Sequence, residues 1–295
     1  MRIYYFGPEG SFSEEAALQR FGRRGEYFPV RETFGVFRAV KKDPEAIGVV
    51  PIENSARGAV YDVVDQVMLE DFSRSGLSIL EELSLPIVLS LLVNPRVLGT
   101  RGKAAGGRAS PRFADASRKI QRVYSHPIQL SFCRDWVQDN IPGAKLTEKV
   151  STSEAAQAAQ RDEGGAAIAN LRAARIYKLK VLLPEIENLG TNITNFFVIG
   201  RKPGRPTSKD KTGIVFSLEH RPGSLYHALG VLHRNKINMT RIISRPKPQM
   251  IGEYNFFVEV EGHRKNPKIK EALQKLLRHT LTLTVVGSYP LIKLK

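Results

Sequence analysis

The chain has 295 residues, of which 42% are hydrophobic and 25% charged, and its formal net charge is +16. These proportions are typical of a folded globular protein and exclude a disordered, collagen-like or coiled-coil chain. A single cysteine, Cys133, excludes an intrachain disulfide and favours a reducing compartment. The sequence has neither an apolar run of ~20 residues nor an N-terminal signal peptide, so we expect a cytoplasmic protein without a membrane partner.

The isoelectric point near 10.0 is the one unusual property of the composition. A basic balance raises the expectation of a nucleic acid or an anionic small molecule as ligand. The densest basic run, residues 101–122, begins with a stretch rich in glycine, and we interpret that stretch as a solvated surface loop. No helix-turn-helix, zinc-finger or RNA-recognition motif accompanies the charge, which disfavours nucleic acid as a partner.

From residue 1 to about 201, short apolar strands alternate with helices. The predicted strands are Arg2–Phe6, Ala46–Ile52, Leu77–Leu80, Pro86–Val93, Val123–Tyr124, Ala144–Val150, Ala166–Ala169 and Asn195–Gly200. The predicted helices are Ser13–Phe21, Ala59–Leu69, Ile128–Asp139, Ser153–Arg161 and Leu171–Tyr177. This alternation predicts a mainly parallel sheet covered by helices, folded as one domain or as two lobes facing each other across a cleft.

A proline-rich linker, residues 201–210, precedes a compact C-terminal unit. Its predicted strands are Lys211–Leu218, Ile237–Ser244, Glu253–Glu261 and Leu281–Val286, and its helices are Ser224–Asn235 and Lys268–Arg278. The order βαββαβ indicates a ferredoxin-like fold. The alternation in Glu253–Glu261 predicts that one face of this sheet is buried and that the other faces solvent or a subunit.

Four loops of the first 200 residues carry hydroxyl, amide or glycine groups and precede helices. They are Phe6–Ser13, Pro51–Gly58, Ser125–Pro127 and Val150–Ser153. Unpaired backbone donors and the helix dipole favour an anion at such positions. Each loop taken alone is explained by helix capping, but four together predict an anion-binding cleft.

Several common chemistries are absent from the sequence. There is no Walker A loop, GxGxxG fingerprint, HExxH metal motif or GxSxG elbow. We interpret Cys133 as a small core residue. If the protein is an enzyme, the sequence predicts that it binds an anion and uses hydroxyl and amide groups, without metal, cofactor or covalent intermediate.

Six segments in order resemble the prephenate dehydratase family: GPEGSFSEEAAL, VVPIENSARGAV, SHPIQLSFC, VSTSEAAQAA, AAIAN and TNITNFFVIG. The C-terminal unit resembles an ACT regulatory domain, with Arg221–Leu225 and Ile243–Pro246 at its two motifs. The resemblance implies an α/β fold with a two-lobed, periplasmic-binding-protein-like catalytic domain. It places that domain at 1–202 (lobes 1–80 with 181–202, and 81–180), a linker at 203–210 and a ferredoxin-like ACT domain at 211–295.

The implied activity is the conversion of prephenate to phenylpyruvate, CO2 and water in phenylalanine biosynthesis. The implied catalytic residues are Thr194, Asn195 and Phe196, with Thr194 directed at the leaving hydroxyl. The implied substrate contacts are Gly10, Ser11, Asn54, Ser55, Ser151 and Thr152. The implied phenylalanine site, between paired ACT domains of a homodimer or homotetramer, consists of Gly223, Ser224, Leu225, Asn238, Ser244, Arg245 and Pro246.

Three positions depart from the family pattern. Asn195 stands where the family has arginine, Ser224 where it has alanine, and Ile243 where it has glutamate. For Asn195 three explanations stay open: a nearby cation such as Arg57 or Arg172 compensates, the substrate is arogenate, or the chain is a weakly active relative. A non-catalytic amino-acid sensor is the rival from another class. If the missing charge limits catalysis, Asn195→Arg should raise kcat/KM for prephenate.

Overall fold

The computed structural model describes residues 1–98, 111–186, 192–247 and 253–295. The glycine-rich half of the basic run therefore lies largely outside the described residues. The first part of the chain contains β1 (Arg2–Phe6), α1 (Phe12–Phe21), β2 (Glu26–Val30), α2 (Thr33–Lys42), β3 (Ile47–Asn54), β4 (Gly58–Ala59), α3 (Tyr61–Met68), α4 (Glu70–Arg74) and β5 (Ser78–Pro86).

The second part of the chain is also α/β. It contains β6 (Ser90–Val93), α5 (Pro111–Ser117), β7 (Arg122–Ser125), α6 (Pro127–Asn140), β8 (Lys145–Glu148), α7 (Thr152–Arg161), β9 (Gly165–Ala169), α8 (Leu171–Ile176) and β10 (Lys180–Leu183). One long strand, β11 (Ile193–Gly200), then returns the chain to the first part. The C-terminal unit follows with β12 (Asp210–Ser217), α9 (Ser224–Arg234), β13 (Met239–Pro246), β14 (Tyr254–Glu261), α10 (Pro267–Leu277) and β15 (Thr282–Lys293).

The strands form two sheets, one for each lobe. The larger has the order β13-β14-β12-β15-β5-β11-β3-β1-β2, with β4 paired to β3, and the smaller has the order β10-β6-β9-β7-β8. The strands β1, β2 and β3 are parallel, and so are β7, β8 and β9. The prediction of a mainly parallel sheet was wrong, because β11 is antiparallel to both β3 and β5, and β6 is antiparallel to both β9 and β10. The predicted two-lobed α/β fold is confirmed. In such sheets the loops after the parallel strands form the ligand crevice.

The chain crosses between the lobes later than the sequence suggested. Strand β5 continues to Pro86 and pairs with β11 in the first lobe, whereas β10 pairs with β6 in the second. The crossings therefore follow Pro86 and Leu183, rather than falling at 80/81 and 180/181 as predicted. The strand predicted over Leu77–Leu80 was too short because Glu81 and Glu82 interrupt the apolar pattern. In the structure Glu82 is nevertheless fully buried.

The C-terminal unit has the predicted βαββαβ order, but both faces of its sheet are covered at the centre. Helices α9 and α10 cover one face. The other face packs against the first lobe, where Phe257 and Tyr289 join Phe197 in one core cluster. The prediction that this face meets solvent or a subunit was wrong. Glu259 suggested exposure by its charge, yet it is fully buried because it is paired with cations of the same interface.

The C-terminal sheet is also continuous with that of the first lobe. Strand β15 pairs in parallel with β5. Within the four described stretches, no helix has both the length and the apolar composition needed to cross a bilayer.

Candidate active site

A hydrogen-bonded pair of side chains marks the point where β3 ends and β11 begins. Thr194 lies opposite Asn54 in the antiparallel register. Asn54 Nδ2 donates to Thr194 Oγ1 at 3.0 Å and to Asn192 Oδ1 at 2.7 Å, while Asn54 Oδ1 accepts from the Ala56 amide at 3.1 Å. Because Thr194 Oγ1 accepts here, its own proton remains available for another acceptor.

The turn after β3 is fixed to the same strand end. Ser55 Oγ accepts from the Ile193 amide at 3.0 Å, and the Ser55 amide donates to the Ile193 carbonyl at 2.9 Å. We predicted that this loop leads directly into a helix. Instead, β4 forms a short hairpin with β3 before α3 begins, so the polar groups at 53–55 belong to a strand end and a turn.

The loop after β1 has the predicted helix-capping geometry. Ser11 Oγ accepts from the Glu14 amide at 3.3 Å and donates to the Phe6 carbonyl at 3.1 Å. Its hydroxyl is therefore committed to the cap at the start of α1. Gly10 has φ +81°, and its amide donates to Glu14 Oε2 at 2.6 Å.

In the second lobe, two helices begin with a capping side chain from the predicted loops. Ser151 Oγ caps α7 by accepting from the Glu154 amide at 3.0 Å, and the neighbouring Thr152 is buried. His126 caps α6, where its Nδ1 accepts from the Ile128 amide at 3.2 Å. Burial, and next the charge of Arg57, lower the pKa of His126, which favours the neutral ring.

The two lobes meet through the loop at Gly10. A Cβ at this position would lie 3.3 Å from the Ala173 Cα and 3.4 Å from Ser153 Oγ, and a side chain would be strained at φ +81°, so glycine favours this close approach. Arg172 of α8 forms a bidentate pair with Glu14 of α1 at 2.6 and 2.7 Å. The Phe6–Ser13 loop of the first lobe and the Val150–Ser153 loop of the second lobe therefore face each other.

Further contacts between the lobes surround the Thr194 cluster. Asn192 Nδ2 donates to Gln129 Oε1 of α6 at 3.3 Å, and Arg57 Nη2 donates to Ser131 Oγ of the same helix at 3.3 Å. Asn192, Gln129 and Ser131 were not singled out in the sequence. Amides and a hydroxyl inside ordinary α/β segments give no pattern that separates them from surface residues.

The Glu14–Arg172 pair gives a stability prediction. The Glu14 side chain is 5% exposed and that of Arg172 39%. Arg172→Gln removes the charge facing a buried carboxylate, so we expect the free energy of unfolding to fall by about 3 kcal/mol. Denaturant unfolding measures this loss. Arg175→Gln, an exposed change on the same helix, is the control, and an equal loss in both variants would contradict the assigned importance of the pair.

Thr194 and Asn195 lie on opposite faces of β11. Thr194 shares its face with Asn54, whereas Asn195 lies opposite Glu53, on the face that meets the C-terminal unit. Within the described chain, Asn195 Oδ1 is buried without a hydrogen-bond partner. Phe196 is 1% exposed and packs in the core. Of the three residues expected at the catalytic centre, Thr194 is the one hydrogen-bonded, among the described residues, to the Asn54–Asn192–Gln129 cluster that links the two lobes.

Arg57 and Arg172, the two cations considered as replacements for a charge at position 195, differ in their contacts. Arg172 is already neutralised by Glu14. Arg57 is exposed and contacts the opposite lobe, and among the described residues it forms no ion pair. Of these two cations, Arg57 is therefore the one whose charge is not neutralised within the described residues.

The seven residues expected at a regulatory site do not all lie together in one chain. Gly223, with φ +84°, Ser224 and Leu225 begin α9 at the sheet edge where β13 ends with Ser244, Arg245 and Pro246. Asn238 lies at the other end of β13, where its Nδ2 donates to Glu261 at 3.0 Å. Arg245 forms a bidentate pair with Asp65 of α3 and stacks on Tyr61, so it contacts the first lobe.

Ile243 and Cys133 are both packing residues. Ile243 packs on the apolar cluster between the C-terminal unit and the first lobe, which accounts for an apolar residue at that position. Cys133 is fully buried in the core, and burial raises the pKa of its thiol to about 12. The prediction that Cys133 is structural agrees with this placement.

Comparison with known protein families decides the classification. The prephenate dehydratase family model matches residues 3–204, and the ACT domain model matches residues 212–278. The chain belongs to the prephenate dehydratase family. The expectation drawn from the six sequence motifs is thereby confirmed.

Individual relatives match over nearly the whole chain. A bifunctional chorismate mutase/prephenate dehydratase of Aquifex aeolicus is 35% identical over 98% of this chain and 74% of its own. A prephenate dehydratase of Methanocaldococcus jannaschii is 32% identical over 98% of this chain and 97% of its own. The crystal structure of a prephenate dehydratase from Arthrobacter aurescens in complex with L-Phe matches with a TM-score of 0.82 and 28% identity, over 98% and 90% of the two chains.

Proposed function

We propose that this chain converts prephenate to phenylpyruvate, CO2 and water. The observation that carries the proposal is the Thr194 hydroxyl, held by Asn54 as an acceptor at the edge of a two-lobed cleft. In this reaction the bond to the ring carboxylate breaks, its electron pair enters the ring, and the ring C–O bond breaks. The departing hydroxide leaves as water once it gains a proton.

The chain's own residues have defined tasks in this reaction. Thr194 donates a hydrogen bond to the leaving oxygen, which reduces the charge that develops there. A threonine hydroxyl is a weak acid, so its proton moves in concert with departure of the oxygen, and a proton from solvent restores the hydroxyl. Arg57 pairs with one carboxylate of the dianion, while the capped loops of both lobes supply neutral donors. Aromatisation of the ring supplies the driving force.

One assay tests the activity. Purified protein is mixed with prephenate, and phenylpyruvate is followed by its ultraviolet absorption in base. Arogenate, which carries an amino group in place of the keto group, is the second substrate in the same assay. Faster turnover of arogenate supports the alternative substrate, and no turnover of either supports a non-catalytic sensor.

We further propose inhibition by L-phenylalanine at the ACT domain of a cytoplasmic homodimer or homotetramer. The relative solved with L-Phe supports this proposal. Millimolar L-phenylalanine should lower the rate, and D-phenylalanine, the matched control, should not. Gly223→Ala should weaken the inhibition, because a side chain is strained at φ +84°. Unchanged activity in millimolar L-phenylalanine would contradict this proposal.

A further inference from the structure

A buried cluster of charges joins the ACT domain to the catalytic lobe. Arg241 of β13 has a side chain only 6% exposed. Its Nη2 lies 2.7 Å from Glu53 Oε2 and 2.8 Å from Glu82 Oε1, and its Nη1 lies 2.7 Å from Glu259 Oε2. The guanidinium also lies over the Phe197 ring, 5.6 Å from its centre. An arginine of the ACT domain is therefore held against strands β3, β5 and β11.

The other two members of the cluster, Lys211 and Tyr289, contact the remaining acids and not Glu53. Lys211 pairs with Glu82 and lies 3.8 Å from Glu259, and Tyr289 donates to Glu259. Burial, and next the charge of Glu82, raise the pKa of Glu259. Within the described chain, Arg241 is the one cation at ion-pair distance from Glu53.

Glu53 connects this cluster to the active site through a single peptide bond. It directly precedes Asn54, which donates to Thr194 Oγ1 at 3.0 Å. Successive side chains of a strand point to opposite faces, so Glu53 is held on the ACT side while Asn54 faces Thr194. A shift of Glu53 therefore moves the backbone that carries Asn54.

We propose that Arg241 is a positioning residue for the dehydratase reaction, which holds Glu53 and thereby fixes Asn54 and the direction of the Thr194 hydroxyl. The inference rests on the proposed function. A hydroxyl that must meet a leaving oxygen is sensitive to displacement, and an error of about 1 Å can cost on the order of 100-fold in rate. The Arg57 guanidinium, at the end of a long exposed side chain, can follow a small shift of this turn, so binding of the substrate carboxylate should change less than the rate.

The test compares Glu53→Gln, Arg241→Lys and Arg241→Gln with the wild-type protein. Lysine keeps the charge but loses the planar fork that contacts several carboxylates at once. We expect each variant to lower kcat by roughly 10- to 100-fold, with KM for prephenate changed less than about twofold. The double variant Glu53→Gln/Arg241→Gln should be no slower than the slower single variant, because both changes break the same Arg241–Glu53 contact.

Arg20→Gln is the matched control. Arg20 also forms a bidentate pair with a glutamate of β5, Glu81, at 2.6 Å, but it lies near Ile47, at the end of β3 opposite to Glu53. Its kcat should equal that of the wild type. Asn195→Arg in the Arg241→Gln background should recover part of the lost kcat, since position 195 shares the face of Glu53.

The outcomes separate the two proposals. A wild-type chain that turns over neither prephenate nor arogenate contradicts the proposed function. An active wild type whose Glu53→Gln and Arg241→Lys variants keep the wild-type kcat overturns the positioning role alone. A rise in KM without a fall in kcat also overturns it. If Arg241→Gln does not fold, Glu53→Gln decides the question, because the Glu53 side chain is 37% exposed and glutamine conserves its volume.

Discussion

Thr194→Val is expected to lower kcat for prephenate by about 100- to 1000-fold, the usual cost of removing one donor aimed at developing oxygen charge. Valine conserves the shape of threonine, so the strand pairing of β11 is retained. Asn54 keeps its bond to Asn192, and the cleft keeps its other donors. Steady-state kinetics with prephenate measure the effect, and KM should change little because the hydroxyl acts on the departing oxygen.

Thr194→Ser is the control for this change. Serine retains the hydroxyl, and its rate should remain within about tenfold of the wild type, since only the methyl group that restricts the hydroxyl is lost. A Thr194→Val protein with a kcat close to that of the wild type would remove Thr194 from the mechanism.

Arg57→Gln is expected to raise KM for prephenate by roughly 10- to 100-fold. A charge-assisted hydrogen bond contributes about 1.5–3 kcal/mol, and among the described residues no ion pair competes for this guanidinium. Initial rates over a range of prephenate concentrations measure KM. The kcat should change less than KM, because the carboxylate contact is present before and during the reaction.

Arg57→Lys tests whether charge or geometry matters at this position. Lysine should restore much of the binding, and added salt should weaken substrate binding to the wild type more than to Arg57→Gln. Equal salt dependence in the two proteins, or an unchanged KM in Arg57→Gln, would show that the dianion is bound by other groups.

The lobes and most of their elements could be predicted because their signals are local. The apolar strands and the capping residues Ser11 and Ser151 were recognised from neighbouring positions. The segment that forms β2 and α2 was not assigned, since Glu26–Val30 is largely exposed and contains Pro29, which weakens a strand pattern. The pairing of β5 with β15 joins residues about 200 positions apart, and no local pattern reports such a contact.

The faces of β11 show the same limit within the site. The motif Thr194-Asn195-Phe196 suggested three neighbouring catalytic residues, but strand alternation places adjacent side chains on opposite faces. The sequence predicts that side chains alternate between the two faces of β11. It does not predict which face meets the cleft, because that depends on the ACT sheet, which covers the side of Asn195. Arg241 was missed for the same reason, since its partner Glu53 is 188 residues away.

The shared sheet determines what a truncated protein would be. A fragment ending at Gly200 would leave β5 as an open edge strand and would uncover the apolar surface around Phe197. Open edges and apolar surfaces promote self-association, so such a fragment would tend to aggregate rather than behave as a free-standing enzyme. In this protein the ACT domain supplies four of the ten strands of the larger sheet, so we expect that the catalytic lobe does not fold as an independent module.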